Sequence, residues 1–257
     1  GLYAMREART LRVDTVRIES PKIAAGARPI RIAQVTDLHL GLMSRTAFLR
    51  PVVEELKALE PDLVIATGDI VDAQINHLEG LADLWNTVNP PLGKYAVTGN
   101  HEVYAGLGPS LEFLRKCGLR VLRGETAAPG GLFTLAGIDD GLAGDAGLPA
   151  LLAGAARERN FVLLARHRPS VVPGTEGFFD LQISGHTHRG QIFPFRLLTD
   201  LVFPMNGGLY DLEGGSRLYA SRGTGTWGPP LRLMAPPEIT VFELVHRQEG
   251  SSEAKSL

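Results

Sequence analysis

The stretch Ile30-Arg31-Ile32-Ala33-Gln34-Val35-Thr36-Asp37-Leu38-His39 is an apolar run that ends abruptly in Asp-Leu-His. A short run rich in β-branched residues reads as a strand, here residues 30–36. The strand does not end in plain turn chemistry, because Gly, Asn, Asp and Ser satisfy a turn whereas His has little use in one. The one-residue spacing of Asp37 and His39 lets both side chains leave the same side of an extended backbone, so they can share one ion.

The pattern repeats outward along the chain. A strand at 63–67 leads into Gly68-Asp69-Ile70-Val71-Asp72, one at 95–98 into Gly99-Asn100-His101-Glu102, one at 161–165 into His167, and one at 181–184 into Gly185-His186-Thr187-His188. Further strands are predicted at 13–18, 133–137, 218–221 and 239–245, and helices at 44–60, 78–88, 110–117 and 149–159. Pro51 fits the first turn of the first helix, which would place its start near Arg50. Interleaved strands and helices make an α/β chain, and such folds put their sites where strands end. Periodicity alone does not separate a doubly wound sheet from a sandwich.

A chain of 257 residues with 44% apolar content can bury a substantial core, and one domain over residues 1–247 is expected, with a polar, disordered tail at 248–257. A net charge of -2 without a cationic cluster gives no footprint for nucleic acid. The single cysteine, Cys117, excludes an intramolecular disulfide, and its spacing from Leu111 and Leu114 predicts a buried helical position. No run approaches the roughly 18 apolar residues that span a bilayer. The chain starts at Gly1, which raises the expectation of a removed upstream segment that anchors or exports the protein, the remainder being soluble.

The strand-end blocks offer seven metal ligands: Asp37, His39, Asp69, Asn100, His167, His186 and His188. Mixed oxygen and nitrogen donors suit Mn²⁺, Fe or Zn²⁺ better than Ca²⁺ or Mg²⁺, and the lack of Cys ligands argues for a catalytic site over a structural zinc site. Two such ions about 3.5–4 Å apart can generate hydroxide and clamp the oxygens of an in-line phosphoryl displacement.

In their order and spacing these blocks resemble the motifs of the calcineurin-like metallophosphoesterase superfamily, namely Asp-x-His, Gly-Asp, Gly-Asn-His-Glu, a lone His and Gly-His-x-His. The resemblance runs from Asp37 to His188 and implies a four-layer α/β (α+β) fold, a β-sandwich of two mixed sheets flanked by helices. It implies that Asp37, His39 and His188 hold one divalent ion, that Asn100, His167 and His186 hold the other, and that Asp69 bridges them, with Mn²⁺ expected first and Zn²⁺ or Fe as alternatives. His101 would protonate the leaving oxygen or stabilise the transition state, and Asp72 would orient it. The implied activity is hydrolysis of a phosphodiester or pyrophosphate bond by metal-bound hydroxide, on a phosphate-containing small molecule or lipid. A phosphomonoesterase of the same fold is the alternative within the class. A non-catalytic metal-binding module is the alternative outside it, and would be marked by a lost ligand or a lost His101.

Ala73-Gln74 stands where protein phosphatases of the superfamily carry Arg-Gly, which speaks against that activity. Residues 184–191 and 223–239 resemble a bacterial membrane-associated subgroup, some of whose members act on cell-envelope or nucleotide-linked lipid substrates, so peripheral membrane contact is expected. Arg189 replaces the Gly common after Gly-His-Thr-His and is expected to contact substrate phosphate or a nearby carboxylate. Residues 192–205, with Phe193, Phe195, Leu197, Leu198, Leu201 and Val202, read as core or pocket wall, with an apolar surface that docks on lipid as the alternative. Trp227 reads as the anchor of a Gly-Pro loop, Asp139-Asp140 as a solvated turn, and His77 and His246 as lying outside the site.

Overall fold

Alternation along the strands decides how this chain packs. In β2 (Ile30–Val35) and β3 (Leu63–Thr67), Ile30, Ile32, Leu63 and Ile65 enter one apolar cluster, while Ala33, Val35, Val64 and Ala66 enter another on the opposite face. In β8 (Val162–Ala165), Leu163 and Ala165 share the first cluster, while Val162 and Leu164 face a third. Period two with both faces buried demands two layers on each sheet. The chain supplies them as a four-layer sandwich in this computed structural model, which describes residues 1–41, 46–72, 78–157 and 159–247, the side chains of 142–144 excepted.

The first six-stranded sheet joins β2 and β3 to β1 (Arg12–Ser20), β4 (Lys94–Val97), β5 (Arg120–Val121) and β12 (Glu238–His246) in the order β1-β12-β2-β3-β4-β5. The second joins β8 to β6 (Glu125–Ala127), β7 (Thr134–Gly137), β9 (Leu181–Ser184), β10 (Gly208–Asp211) and β11 (Arg217–Ala220) in the order β10-β11-β9-β8-β7-β6. Both sheets are mixed: β12 runs antiparallel to β2, and β6 and β10 run antiparallel to their neighbours. Ile32, Ile65, Phe133, Leu163, Ile183 and Phe242 meet between the sheets. Helices α2 (Thr46–Leu59), α3 (Leu81–Trp85) and α5 (Leu107–Lys116) cover the first sheet through Leu49, Val53, Leu56, Trp85, Phe113 and Leu114. Helix α6 (Leu142–Ala156) covers the second through Leu148, Leu152 and Ala155.

Two proline readings are corrected. Helix α2 starts at Thr46 and carries Pro51 in its interior, and α6 starts at Leu142 with Pro149 inside. Proline forfeits one intrahelical hydrogen bond, but burial of Leu49, Val52, Val53 and Leu56 on one α2 face offsets that loss. Helix α3 is shorter than residues 78–88 because Gly80 adopts a left-handed conformation at its start. Cys117 lies buried just past α5, its thiol pushed up to about 12 by burial despite nearby Lys94. The tail 248–257 and the Ala73-Gln74 and His77 positions lie outside the described residues. No described helix is long and apolar enough to cross a membrane.

The short helices α1 (Leu2–Glu7), α4 (Asn100–Tyr104) and α7 (Arg196–Val202) complete the chain. Parallel pairing of β2 with β3, of β3 with β4 and of β8 with β9, in two sheets packed face to face, brings the carboxyl ends of five strands to one rim of the sandwich.

Candidate metal centre

The loops after β2 and β3 run side by side beyond the sheet. The Asp37, His39 and Leu40 N–H groups donate to the carbonyls of Gly68, Asp69 and Ile70, and Asp72 N–H returns to Leu40. This extra pairing holds Asp37 and Asp69 beside each other. Both carboxylates are buried, as are His39, His167 and His188. Asp37, His39, Asp69, His186 and His188 all have positive φ, between 47° and 74°. Non-glycine residues rarely adopt this region, and such strain persists only where surrounding structure over-determines it. Gly185 is needed for the same crowding: a Cβ there would stand 2.2 Å from Asp37 Oδ2.

Three ligand groups overlap at the rim: Asp37, His39 and His188; His39, Asp69 and His101; and Asp69, His167 and His186. His39 Nε2 faces His188 Nε2 at 3.0 Å, His186 Nδ1 faces His167 Nε2 at 3.1 Å, and His167 Nε2 lies 3.2 Å from Asp69 Oδ2. His167 Nδ1 is 2.9 Å from the Thr67 carbonyl; donating there leaves Nε2 directed at the cluster, the arrangement typical of a metal-ligating imidazole. Asn100 Oδ1 and His39 Nδ1 are buried without a hydrogen-bond partner. Buried polar atoms are normally satisfied, so the orphaned Asn100 oxygen fits a ligand donor. The donor set therefore suits divalent metal binding.

Electrostatics support that reading. Burial drives His39 down to about 4 and His186 to about 3, and it also pushes His188 well below the ordinary range, so these rings are neutral near pH 7. Burial raises Asp37 to about 6, assisted by Asp69 and opposed by His167. Burial would raise Asp69 too, but His167, His39 and His101 outweigh it and hold Asp69 low. His167 is raised to about 10 because Asp69 and Asp37 overcome its burial, so a proton there neutralises charge that a metal ion would otherwise neutralise.

His101 stands at the start of α4 with Nδ1 3.0 Å from Asp72 Oδ1, and its ring packs edge-on to His39 at 4.6 Å. The Asp72 contact leaves Nε2 as the ring's other proton-transfer atom. His101 N–H donates to Asp69 Oδ1 at 2.8 Å.

Two organising residues carry no role in the sequence reading. Glu102 is fully buried and accepts the N–H groups of Asp69, Ile70, Val71 and Gly99 with both carboxylate oxygens. It knots the loop after β3 to the turn after β4. Its place in Gly-Asn-His-Glu was a visible signal, since Glu three residues after a helix N-cap commonly reaches back to it. Arg232 is also fully buried and donates to the carbonyls of His188, Arg222, Gly223, Gly225 and Ala235. Its Nη2 lies 3.0 Å from His188 Nδ1, and because guanidinium only donates, that nitrogen accepts. No local signal marks Arg232, which meets His188 only through tertiary folding.

A cavity of about 580 Å³ opens over the cluster. Its polar floor includes His39, Asp69, Asn100, His101, His186 and His188, and its walls include Tyr104, Ile192, Phe195, Trp227 and Pro229. Arg189 is not among the lining residues; its stem approaches Gly207, and its buried Nε has no partner, so the geometry does not bring it to a phosphate at this floor. Trp227 does not anchor its loop inward: it is 60% exposed at the cavity mouth. Asp139 and Asp140 are not simply solvated, since Asp139 pairs with Arg123 and Asp140 holds Arg168 through two bonds of 2.8 and 2.9 Å. His246 lies away from the rim, its Nδ1 2.7 Å from the Ile23 carbonyl.

A four-layer sandwich with an Asp, Asn and His cluster at the strand ends defines a metallophosphoesterase architecture. The profile of the calcineurin-like phosphoesterase family matches residues 30–190, and the chain belongs to that family of metal-dependent phosphoesterases. It is 38% identical over 251 residues to a metallophosphoesterase of Aquifex aeolicus, covering 95% of each chain. It is 32% identical over 246 residues to a Danio rerio protein named a transmembrane protein with metallophosphoesterase domain, covering 89% of this chain and 56% of that protein. A crystal structure of a 5′-nucleotidase precursor from Thermus thermophilus shares the fold, with a TM-score of 0.50 and 14% identity over 84% of this chain and 54% of the other.

Proposed function

We propose that this protein hydrolyses a phosphodiester or pyrophosphate whose non-phosphate part is substantially apolar. The observation carrying the proposal is the cavity: histidines and carboxylates form its floor, while Ile192, Phe195, Trp227 and Pro229 form much of its wall. Two divalent ions, Mn²⁺ foremost, would be held by Asp37, His39 and His188 and by His167 and His186 with the orphaned Asn100 oxygen, Asp69 lying beside both His39 and His167 where both ions could share it. When bound they supply Lewis acidity and an activated water. Neutral His39 and His186 offer lone pairs near pH 7, His188 offers one at Nε2 once that atom releases its proton, since Nδ1 already accepts from Arg232, and Asp69 offers a carboxylate kept ionised.

His101 delivers a proton to the departing oxygen from Nε2, while Asp72 holds Nδ1 and fixes the ring plane. The walls exclude water and bind the apolar group, favouring an ester with a bulky substituent over a bare monoester. The membrane named in the Danio rerio relative and the exposed residues around the mouth support an enzyme that works at a membrane.

Elemental analysis beside hydrolysis of bis-p-nitrophenyl phosphate and p-nitrophenyl phosphate tests this reading. Bound transition metal with diesterase turnover exceeding monoesterase turnover, and a fall of about 10²-fold or more in His101→Ala, is expected. Asp69→Asn should lose both metal and turnover. Preferred monoester hydrolysis would move the assignment to a phosphomonoesterase. A metal-replete protein inactive on diesters, monoesters and nucleotide-linked lipids would point to a binding module.

A further inference from the structure

Helix α7 buries none of its residues. Leu198 and Leu201 are 63% and 80% exposed, and Leu197, Val202, Phe193 and Phe195 stand exposed beside them. Contiguous apolar surface of this kind is rare on soluble monomers unless something covers it. The segment is not a loose arm: a Cβ on Gly190 would meet the Arg196 backbone at 2.5 Å, and Phe203 packs edge-on to His186 with ring centroids 5.2 Å apart. Helix α7 is thus fixed to the loop that carries His186 and His188.

Backbone contacts tie this segment to a second group of exposed apolar residues on α1. Ile192 pairs with Leu233, whose carbonyl accepts the Phe193 N–H at 3.1 Å, and Arg232 N–H donates to Ala4 of α1 at 3.0 Å. Helix α1 buries Ala4, with Ala8 buried just past its end, and leaves Leu2, Tyr3 and Met5 exposed, with Met234 exposed beside Leu233. Ile192, Phe195 and Trp227 belong both to this region and to the cavity wall, so the cavity opens within it.

Charge identifies the occupant. Arg6 and Arg9 are exposed next to Leu2, Tyr3 and Met5 and make no ion pair among the described residues. Exposed apolar side chains, aromatic rings with polar tips and unpaired arginines together match a bilayer interface with anionic headgroups. A second copy seated on this face would obstruct the cavity mouth, whereas a bilayer would present phosphate esters to it. We infer that α7, Trp227 and α1 seat this protein on an anionic lipid bilayer, so that the cavity opens onto the membrane. The inference deepens the proposed function, since it makes the membrane the side from which substrate enters.

Co-sedimentation of the full chain with phosphatidylcholine vesicles, with and without phosphatidylglycerol, tests the seating. Wild type should bind the anionic vesicles, and binding should fall by about tenfold or more in Leu198→Ser/Leu201→Ser/Val202→Ser. These exposed positions lie outside the cavity lining, so turnover of soluble bis-p-nitrophenyl phosphate should persist. Arg6→Glu/Arg9→Glu should abolish the preference for phosphatidylglycerol, and serves as the second probe if the triple variant fails to fold. Wild type that ignores anionic vesicles, or variants that bind as wild type does, would overturn the inference. So would a wild-type dimer in sedimentation velocity that the same serines dissociate, since the face would then belong to a second copy. Docking without turnover would instead refute the catalytic reading and leave the seating intact.

Discussion

In the proposed metal centre, His167 is the residue at which metal and proton would compete most directly. Its Nε2 lies 3.2 Å from Asp69 Oδ2, and the aspartates raise it from 6.5 to about 10 against the effect of burial. In the metal-free protein the folded state therefore keeps this proton where the unfolded chain releases it. The stabilisation is complete below pH 6.5 and is lost as pH rises towards 10. Metal-free protein should lose up to about 1.4 kcal/mol per pH unit across that window from this group, measured by urea denaturation, and His167→Gln should remove the slope. Metal binding must displace the proton, so apparent metal affinity should rise over the same window, as isothermal titration would record. Arg232 acts on the other ligand group. It fixes His188 Nδ1 as an acceptor and aims Nε2 towards His39 and Asp37, while its cation balances the negative character a ring acquires when both nitrogens accept. Arg232→Met should lower metal occupancy measured by elemental analysis and destabilise the fold by about 3 kcal/mol or more, because several buried carbonyls lose their donor.

At the scale of elements, the loop at Gln191 and the loop at Trp227 are joined by one carboxamide. Gln191 Nε2 donates to the Trp227 carbonyl at 2.9 Å, and Gln191 Oε1 accepts the Trp227 N–H at 2.8 Å. The pair holds an exposed indole at the cavity mouth. Trp85 is fully buried, so an aqueous quencher reports chiefly on Trp227. Gln191→Ala should raise acrylamide quenching and increase KM for bulky diesters several-fold, while leaving kcat nearly unchanged, because uniform binding is lost and the metal floor is untouched. A fall in kcat at constant KM would instead tie this clasp to the reacting groups. The elements that sequence reading missed share a cause. Strands β5, β6 and β10 are two to four residues long, and α4 and α7 are five and seven. Segments this short carry too few periods to stand out from the surrounding loop.

The whole molecule depends on the two sheets burying each other. Leu163 is fully buried between them, on the strand that leads to His167. Leu163→Ala should cost about 2–5 kcal/mol in chemical denaturation, with the spread set by how far the cavity can collapse. Turnover per folded molecule should change less than stability, because the change lies between the sheets while the ligands stand on loops beyond them. A large loss of turnover in fully folded protein would show that the rim follows the core more tightly than this arrangement implies.

The candidate site residues, their order and their position after strands were legible in the chain, because Asp37, His39, Asp69, Asn100, His101 and the Gly-His-Thr-His block are local patterns beside apolar runs. It also carried most of the strand positions, since period two is a property of neighbouring residues. Tertiary structure alone decided what those patterns face. Parallel pairing within each sheet and the packing of the two sheets together place the ends of β2, β3, β4, β8 and β9 at one rim, and that rim lets Arg232 reach His188 across 44 residues of chain. For residues 193–202 the sequence left core or pocket wall and an exposed apolar surface both open, and only the fold shows Phe193, Phe195, Leu197, Leu198, Leu201 and Val202 exposed. An apolar run reads the same whether it fills a core or lines an open mouth, because burial is set by what the rest of the fold brings against it.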